Sequence, residues 1–164
     1  MKKTGIDQKG TIGLLDMLGI LEKNPRKEEA GAITIFIGRA KKYTRRNEVT
    51  EGLELDAYRE KAEETLASIS QELEKKKGII DVIIHHMIGD FKVGEDLVYV
   101  IVAGKSRKDV FPVLREAVER YKHEAPIFKR ELLKNGKPYW VSEDNKKKRE
   151  FLGSQHKWDL ASNP

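Results

Sequence analysis

Apolar residues recur at intervals of three and four along three segments of the chain, the spacing typical of helices that pack on a core. The predicted helices are residues 11–22, a segment from the N-cap Asp56 to about Lys77, and residues 107–124. Asn24-Pro25 ends the first helix, Gly78 ends the second, and Ser106 caps the third. The first two helices are therefore well separated from the third along the chain.

Shorter apolar runs between these helices predict strands. They are residues 32–37, 49–55, 79–88, 97–103, 127–133 and 138–142. Residues 97–103 are apolar almost throughout, which is typical of a central strand covered on both faces. Asn135-Gly136 separates the last two strands and favours a type I′ hairpin turn. Because the links between strands are short and the helices are separated, the order of elements predicts an α+β fold.

The same patterning divides the chain into three parts. We predict a core domain at residues 31–142, preceded by an N-terminal helical extension at residues 1–30. Residues 143–164 have few apolar groups and no clear period, so we predict a mobile C-terminal tail.

The composition is typical of a charged surface around a modest core, with 38% hydrophobic and 36% charged residues. No apolar run approaches the length that spans a bilayer, and the basic N-terminus lacks the apolar region of a secretory signal. The absence of cysteine excludes disulfides, thiolate metal sites and cysteine nucleophiles. We therefore expect a cytoplasmic protein with no membrane partner.

A net charge of +5 and a pI near 9.2 indicate anionic partners. The 27 acidic residues are interspersed among 32 basic ones, however, which is also typical of an ordinary solvated surface. The most basic stretch is the loop at residues 39–46, which contains Arg39 and Lys41. This loop is either a flap that grips phosphate or a stretch of solvated charge.

Two lysines flank the point at which a helix stops and a strand begins. Lys122 precedes the helix stop at Ala125-Pro126, and Lys129 follows it in the next strand. Stiff elements hold this pair from both sides, as a catalytic amine requires. If the amines converge, either could act as a general acid, a general base or a nucleophile. The alternatives are that Lys122 only complements the helix dipole and that Lys129 points outward from its strand.

Two other short motifs contain residue types that could bind an anion or a metal ion. Ser106-Arg107 opens a helix directly after the central strand, so its amides and guanidinium could bind an anion. The alternative is an ordinary N-cap beside a solvated arginine. His85-His86 lies in a strand, where adjacent side chains point to opposite faces and cannot bind one metal together. We therefore predict no metal site and no cofactor.

Five segments of the chain carry a family resemblance when taken together and in order. They are GAITIFIG at 31–38, LELDAY at 53–58, HMIG at 86–89, VGED at 93–96, and YK at 121–122 with APIFKRE at 125–131. In this order they resemble the large (catalytic) subunit of molybdopterin synthase over about residues 31–142. Each motif is weak individually, but their shared order is specific.

The resemblance implies an α/β-hammerhead fold with an additional antiparallel β-hairpin. It also implies a homodimer in which each subunit binds a small ubiquitin-like sulfur carrier, giving a heterotetramer. The C-terminal thiocarboxylate of the carrier would enter a pocket of the large subunit. Two such sulfurs would convert cyclic pyranopterin monophosphate into molybdopterin, a step of molybdenum cofactor biosynthesis.

The resemblance further implies roles for particular residues. The two active-site lysines of the family fall on Lys122 and Lys129. Ser106 stands where the family usually has histidine, and Lys41 stands where it usually has arginine. Lysine keeps the charge but lacks the bidentate fork of arginine, for which Arg39 could compensate. The predicted substrate-binding residues are Arg107, Ser106, Lys41 and Arg39.

Two other functions stay open. One is a basic α+β module that binds nucleic acid through the 39–46 loop and the C-terminal lysines, although the loop has only Tyr43 as an aromatic residue. The other is an inactive family member that keeps only the interface with the carrier. Retention of both Lys122 and Lys129 argues against this second alternative.

Overall fold

The structure is a computed structural model that describes residues 2–134 and the backbone of residues 138–141. Its helices are α1 (Leu14–Leu21), α2 (Arg59–Glu74) and α3 (Arg107–Glu124), with one 3₁₀ turn at Lys27–Glu29. Its strands are β1 (Thr4–Gln8), β2 (Ala32–Arg39), β3 (Thr50–Ala57), β4 (Ile79–Lys92), β5 (Asp96–Gly104), β6 (Ile127–Leu133) and β7 (Pro138–Val141).

The strands form one sheet in the order β2-β5-β4-β3-β6-β7, with β1 added beside β4. The pairing of β1 with β4 is parallel, whereas the other described pairs are antiparallel. One edge of β4 is shared, because β1 covers residues 84–88 and β3 covers residues 89–92. The change of partner falls at Gly89, whose φ of 124° is readily adopted only by glycine.

The core lies on both faces of the central strands. Residues 98–104 of β5 are buried regardless of parity, which confirms the prediction of a strand covered on both sides. Helices α2 and α3 contact each other and pack on the sheet, and α1 packs against β4 and β5. A fully buried aliphatic side chain contributes about 1.5–3 kcal/mol relative to an exposed one. The buried apolar residues of the sheet and helices therefore supply most of the stabilisation of the folded chain.

The bounds of several predicted elements need correction. Asp56 is not the N-cap of α2, because β3 continues through it and the helix begins one residue after Tyr58. The helix also ends before Lys77, since the chain must turn at Gly78, where φ is 81°. Strand β4 continues four residues beyond the predicted end at residue 88 because β3 provides a second partner there.

The N-terminal segment differs most from the prediction. Helix α1 lies within the predicted 11–22, but β1 was not predicted, because TGIDQ contains a single apolar residue, Ile6. Ile6 is buried against the sheet, so residues 1–30 contain a strand of the main sheet as well as a helix. The boundaries of the predicted parts remain predictions.

The α+β class with an additional β-hairpin is confirmed. Helix α3 and strand β6 have the predicted bounds. The Asn135-Gly136 turn and the tail at residues 143–164 lie outside the described residues. Among the residues that the structure describes, no helix has the length and apolar character needed to cross a membrane.

Candidate active site

Lys122 lies in the last turn of α3, half-buried above the edge strand β2. Its Nζ atom is 5.8 Å from the centroid of the Phe36 ring, a cation–π geometry. The preceding residue, Tyr121, is buried and meets the ring of His86 edge-on with centroids 5.7 Å apart. The buried face of α3 therefore fixes the direction in which Lys122 can reach.

The Phe36 ring has space because the next residue on its side of β2 is a glycine. A Cβ atom on Gly38 would lie 2.5 Å from Val98 Cγ1 and 3.3 Å from Phe36 Cε1. Gly38 is in register with Val98, so these three residues share the face of β2 that lies under Lys122. A side chain at residue 38 would clash with Val98 and press on the ring that supports the lysine.

Lys129 is the third residue of β6, and its neighbours place it on the buried side of the strand. It is in register with Leu55 of β3, which is itself buried and in register with Gly89 of β4. The Nζ atom of Lys129 is 2.7 Å from Oε1 of Glu131, whose side chain is only 5% exposed. Lys129 itself is 31% exposed. The alternative prediction, that Lys129 points outward from its strand into solvent, therefore does not fit its position.

The connection between the two lysines is short and held by backbone hydrogen bonds. Ala125 is fully buried, and its N–H donates to the carbonyl of Tyr121 at 3.1 Å. The carbonyl of Pro126 accepts from the N–H of Tyr58 at 3.1 Å, which ties the connection to the start of α2. The predicted rigid placement of Lys122 and Lys129 at a helix–strand junction is what the structure shows.

Ser106 and Arg107 lie at the other end of α3. Lys122 is fifteen positions after Arg107, which corresponds to about 22 Å along a helix. Ser106 Oγ donates to Asp109 Oδ2 at 2.6 Å, and Arg107 is exposed. Within one chain, this predicted anion site and the lysine junction are therefore separate places.

The side chain of Arg39 binds residues at the turn between β4 and β5 and does not lie on the Phe36 side of β2. Its Nε donates to Asp96 Oδ1 at 2.8 Å, and its guanidinium also reaches the carbonyl of Gly94. Asp96 accepts a second hydrogen bond from the hydroxyl of Tyr99, which is in register with Ile37 and so on the face opposite Phe36. Burial, then the hydrogen bond and negative charge of Asp96, raises the pKa of Tyr99 to about 12. The placement does not support the expectation that Arg39 compensates for Lys41.

Lys41 is exposed at the start of the basic loop, which is ordered around one buried hydroxyl. Thr44 Oγ1 accepts from the N–H groups of Arg46 and Glu48, each at 3.1 Å, and Thr44 is 5% exposed. The chain turns at Asn47 with φ of 63°, and residues 43 and 49 form an isolated antiparallel bridge. The loop is thus a compact turn that presents Lys41 next to the end of β2.

Two residues of the site were not predicted, Phe36 and Glu131. Glu131 is two residues after Lys129 in a strand, so their common side could have been predicted from alternation. Phe36 faces Lys122 across 86 residues of chain, a contact that no local pattern indicates. Among the residues that the structure describes, no three histidine, aspartate or glutamate side chains lie close enough to hold a metal ion.

The fold and these side chains define a class: a small α+β protein whose lysines are fixed at a helix–strand junction and suit an anionic ligand. The sequence profile of the MoaE protein family matches residues 15–124. The chain therefore belongs to the MoaE family. This match begins upstream of the predicted core domain, within α1.

Relatives with curated names agree with this assignment. The chain is 36% identical over 121 residues to the molybdopterin synthase catalytic subunit of Bacillus subtilis, covering 74% of the chain and 76% of that protein. It is 35% identical over 119 residues to a probable molybdopterin synthase of Haloferax volcanii, covering 72% of the chain and 45% of that protein. The chain thus spans less than half the length of the Haloferax relative.

Solved structures show the same fold. Molybdopterin synthase from Staphylococcus aureus matches with a TM-score of 0.76 at 31% identity, over 87% of this chain and 99% of that one. A chain from the complex of subunits 1 and 2 of molybdopterin-converting factor from Helicobacter pylori matches with a TM-score of 0.68 at 23% identity, over 88% and 93%. The predicted resemblance is confirmed, and the chain belongs to a family of enzymes.

Proposed function

We propose that the chain transfers sulfur to cyclic pyranopterin monophosphate, forming molybdopterin. The sulfur comes from the C-terminal thiocarboxylate of a small ubiquitin-like carrier that binds each subunit. The observation that carries this proposal is the position of both family lysines: Lys122 and Lys129 flank one rigid junction, half-buried and oriented by Phe36 and Glu131. Because the family is one of enzymes, neither the nucleic-acid-binding alternative nor the inactive one is proposed.

Electrostatics support this choice of reactants. The pterin phosphate and the thiocarboxylate are both anions, so a cationic site attracts each and offsets the repulsion between them. Lys41 at the end of β2 is exposed and near the same edge of the sheet as Phe36. We assign it to the phosphate of the substrate, as a point charge rather than a bidentate clamp.

The two lysines have different surroundings, and we propose different roles for them. Lys129 is oriented by a buried carboxylate, so its ammonium can donate to the oxygen that gains charge when sulfur attacks the pterin side chain. Lys122 lies over the face of the Phe36 ring in the last turn of α3, and we assign its ammonium to holding the thiocarboxylate or the phosphate.

The distance between Arg107 and Lys122 bears on the assembly. The outer edge of β2 has no strand beside it among the described residues, and Ile33, Ile35 and Ile37 on that strand are 36–48% exposed. If two copies pair their β2 edges about a twofold axis, their α3 helices run antiparallel side by side. We propose that this homodimer brings Ser106 and Arg107 of one copy towards the lysine junction of the other.

The direct test is turnover by a Lys129→Ala variant. We expect dithiolene product to fall by about 10²-fold or more, because the positioned proton donor is lost, while carrier binding survives. Product is measured by mass spectrometry after mixing the purified chain with thiocarboxylated carrier and the cyclic pterin phosphate, and binding by calorimetry.

Lys108→Ala is the matched control, since Lys108 is an exposed lysine in the first turn of α3. It should keep both turnover and binding. Normal turnover by Lys129→Ala would rule out the proposed role of that lysine, and an absence of product with the wild-type chain would rule out the proposed reaction.

A further inference from the structure

Glu131 is the buried carboxylate beside Lys129, and the proposed sulfur transfer does not use it as an acid, a base or a nucleophile. Its side chain is 5% exposed, and its one ion pair given by the structure is with Lys129, at 2.7 Å. The two residues are next-but-one neighbours on β6, in register with Leu53 and Leu55 of β3. Glu131 therefore lies on the same buried side of the sheet as the lysine proposed for the chemistry.

We propose that Glu131 is a positioning residue: it holds the Lys129 ammonium in place and is the resident counter-ion that the incoming anion joins. This inference rests on the proposed function of the Lys129 site and adds a residue and an order of binding to it. A carboxylate this deeply buried is costly unless it is paired. Lys129 provides that pairing charge, at 2.7 Å from the carboxylate.

A comparison with the neighbouring ion pair indicates that the Lys129–Glu131 pair orients the lysine and does not hold strands together. Arg130 and Glu54 form an ion pair on the opposite face, and it joins β6 to β3. The Lys129–Glu131 pair lies within a single strand and joins no elements. Its effect is therefore to restrict the rotamers of Lys129 and to aim its amine.

The number of N–H donors on the Lys129 ammonium explains how an anion can bind beside Glu131. An ammonium has three N–H donors, and one directed at Glu131 leaves two for a ligand. Before the ligand arrives, the pair is electrically neutral, so Glu131 weakens the attraction of Lys129 for any anion. Removing the Glu131 charge should thus strengthen ground-state binding of anions and, at the same time, loosen the aim of the amine.

Glu131→Gln tests the effect on anion binding and the effect on the aim of the amine together, because glutamine keeps the size of the side chain and removes its charge. In the full chain with thiocarboxylated carrier and cyclic pterin phosphate, we expect kcat to fall about tenfold or more. We expect the dissociation constant of the carrier to be unchanged or lower, and Glu131→Asp to recover part of the lost kcat. A merely structural role would not separate kcat from binding in this way.

The matched control is Glu54→Gln, which makes the same change on the other face of the same two strands. It should keep kcat. Thermal unfolding of both variants is measured alongside, because a loss of stability shared by both would reduce turnover for an unrelated reason.

A second measurement needs no substrate. Acylation of the free chain by an amine-reactive ester, followed by mass spectrometry, gives the modification rate of Lys129 relative to exposed Lys108. We expect the Lys129 rate to rise several-fold in Glu131→Gln and to stay at the wild-type value in Glu54→Gln, since only the first change releases the amine.

The outcomes separate this inference from the proposed function. If the wild-type chain makes product and Glu131→Gln makes it equally fast, or if carrier binding and unfolding temperature fall together with kcat, the positioning role is wrong. If the wild-type chain makes no product, the proposed function fails. In that case the acylation rates alone test the pairing of Lys129 with Glu131. A Lys129 rate in Glu131→Gln equal to that of the wild type overturns the pairing, and a higher rate supports it.

Discussion

Neighbouring residues of β2 serve opposite sides of the sheet. Phe36 and Gly38 lie under Lys122, whereas Ile37 faces the other way and Arg39 braces the turn between β4 and β5. The sequence indicates this alternation, but it does not indicate which side borders the site. For that reason Phe36 was not predicted, and Arg39 was assigned to substrate binding although its guanidinium contacts Asp96 and Gly94.

At this scale we expect Gly38→Ala to destabilise the chain by about 1–3 kcal/mol, as overpacking typically does. The new Cβ would lie 2.5 Å from Val98 Cγ1, inside any normal contact, and would push on the Phe36 ring. Chemical denaturation measures the change, and a loss of turnover should accompany it because the support of Lys122 moves.

Gly19→Ala is the control. Gly19 lies within α1, and apart from its chain neighbours and the backbone of its own helix no atom stands within 4 Å of the position that a Cβ would take. Alanine there should stabilise the helix by about 0.5–1 kcal/mol. Equal effects of the two substitutions would contradict the crowding at residue 38.

At the scale of elements, the spacing of apolar residues predicted the helices and strands that pack through a regular series of apolar side chains. Helix α3 and strand β6 have the expected bounds because their own residues determine their burial. Strand β1 and residues 89–92 of β4 are strands because of partners distant in sequence. Local patterns carry no signal of such partners, and Asp56 was therefore predicted to be the N-cap of α2, although it lies in β3 and pairs with Phe128 of β6.

The basic loop provides a test at this scale. We expect Thr44→Val to raise the hydrogen-exchange rates of the Arg46 and Glu48 amides, because it removes the hydroxyl that accepts from both. Thr44→Ser keeps the hydroxyl and should retain most of the protection. Exchange followed by mass spectrometry of peptides from this loop measures the effect, and equal exchange in Thr44→Val and wild type would show that the backbone alone orders the loop.

At the scale of the whole molecule, the structure separates two cationic places that the resemblance puts in one site. The lysine junction lies at one end of α3, and Arg107 lies at the other. A single chain cannot close this gap, since the helix between them is rigid. The assembly is therefore part of the proposed site and not only a matter of stability.

We expect Ile35→Asp to convert the proposed homodimer into a monomer, because it places a charge in the middle of the proposed β2 interface. Light scattering after size-exclusion chromatography measures the mass. Turnover should fall with the loss of the dimer, whereas the unfolding temperature of the monomer reports whether the fold is intact.

Val93→Asp is the matched substitution, at an equally exposed valine in the turn between β4 and β5. It should leave the mass unchanged. A dimeric Ile35→Asp variant would move the proposed interface away from the β2 edge.

Strand β1 has a consequence for synthesis on the ribosome. Its partner in the sheet is 80 residues further along, since Thr4 is in register with Ile84. At 5–20 residues per second, the nascent chain waits roughly 4–16 s before that partner has been translated. During this interval Ile6 lacks its partner strand in the sheet, so β1 is a segment to which a chaperone that binds apolar peptides has access.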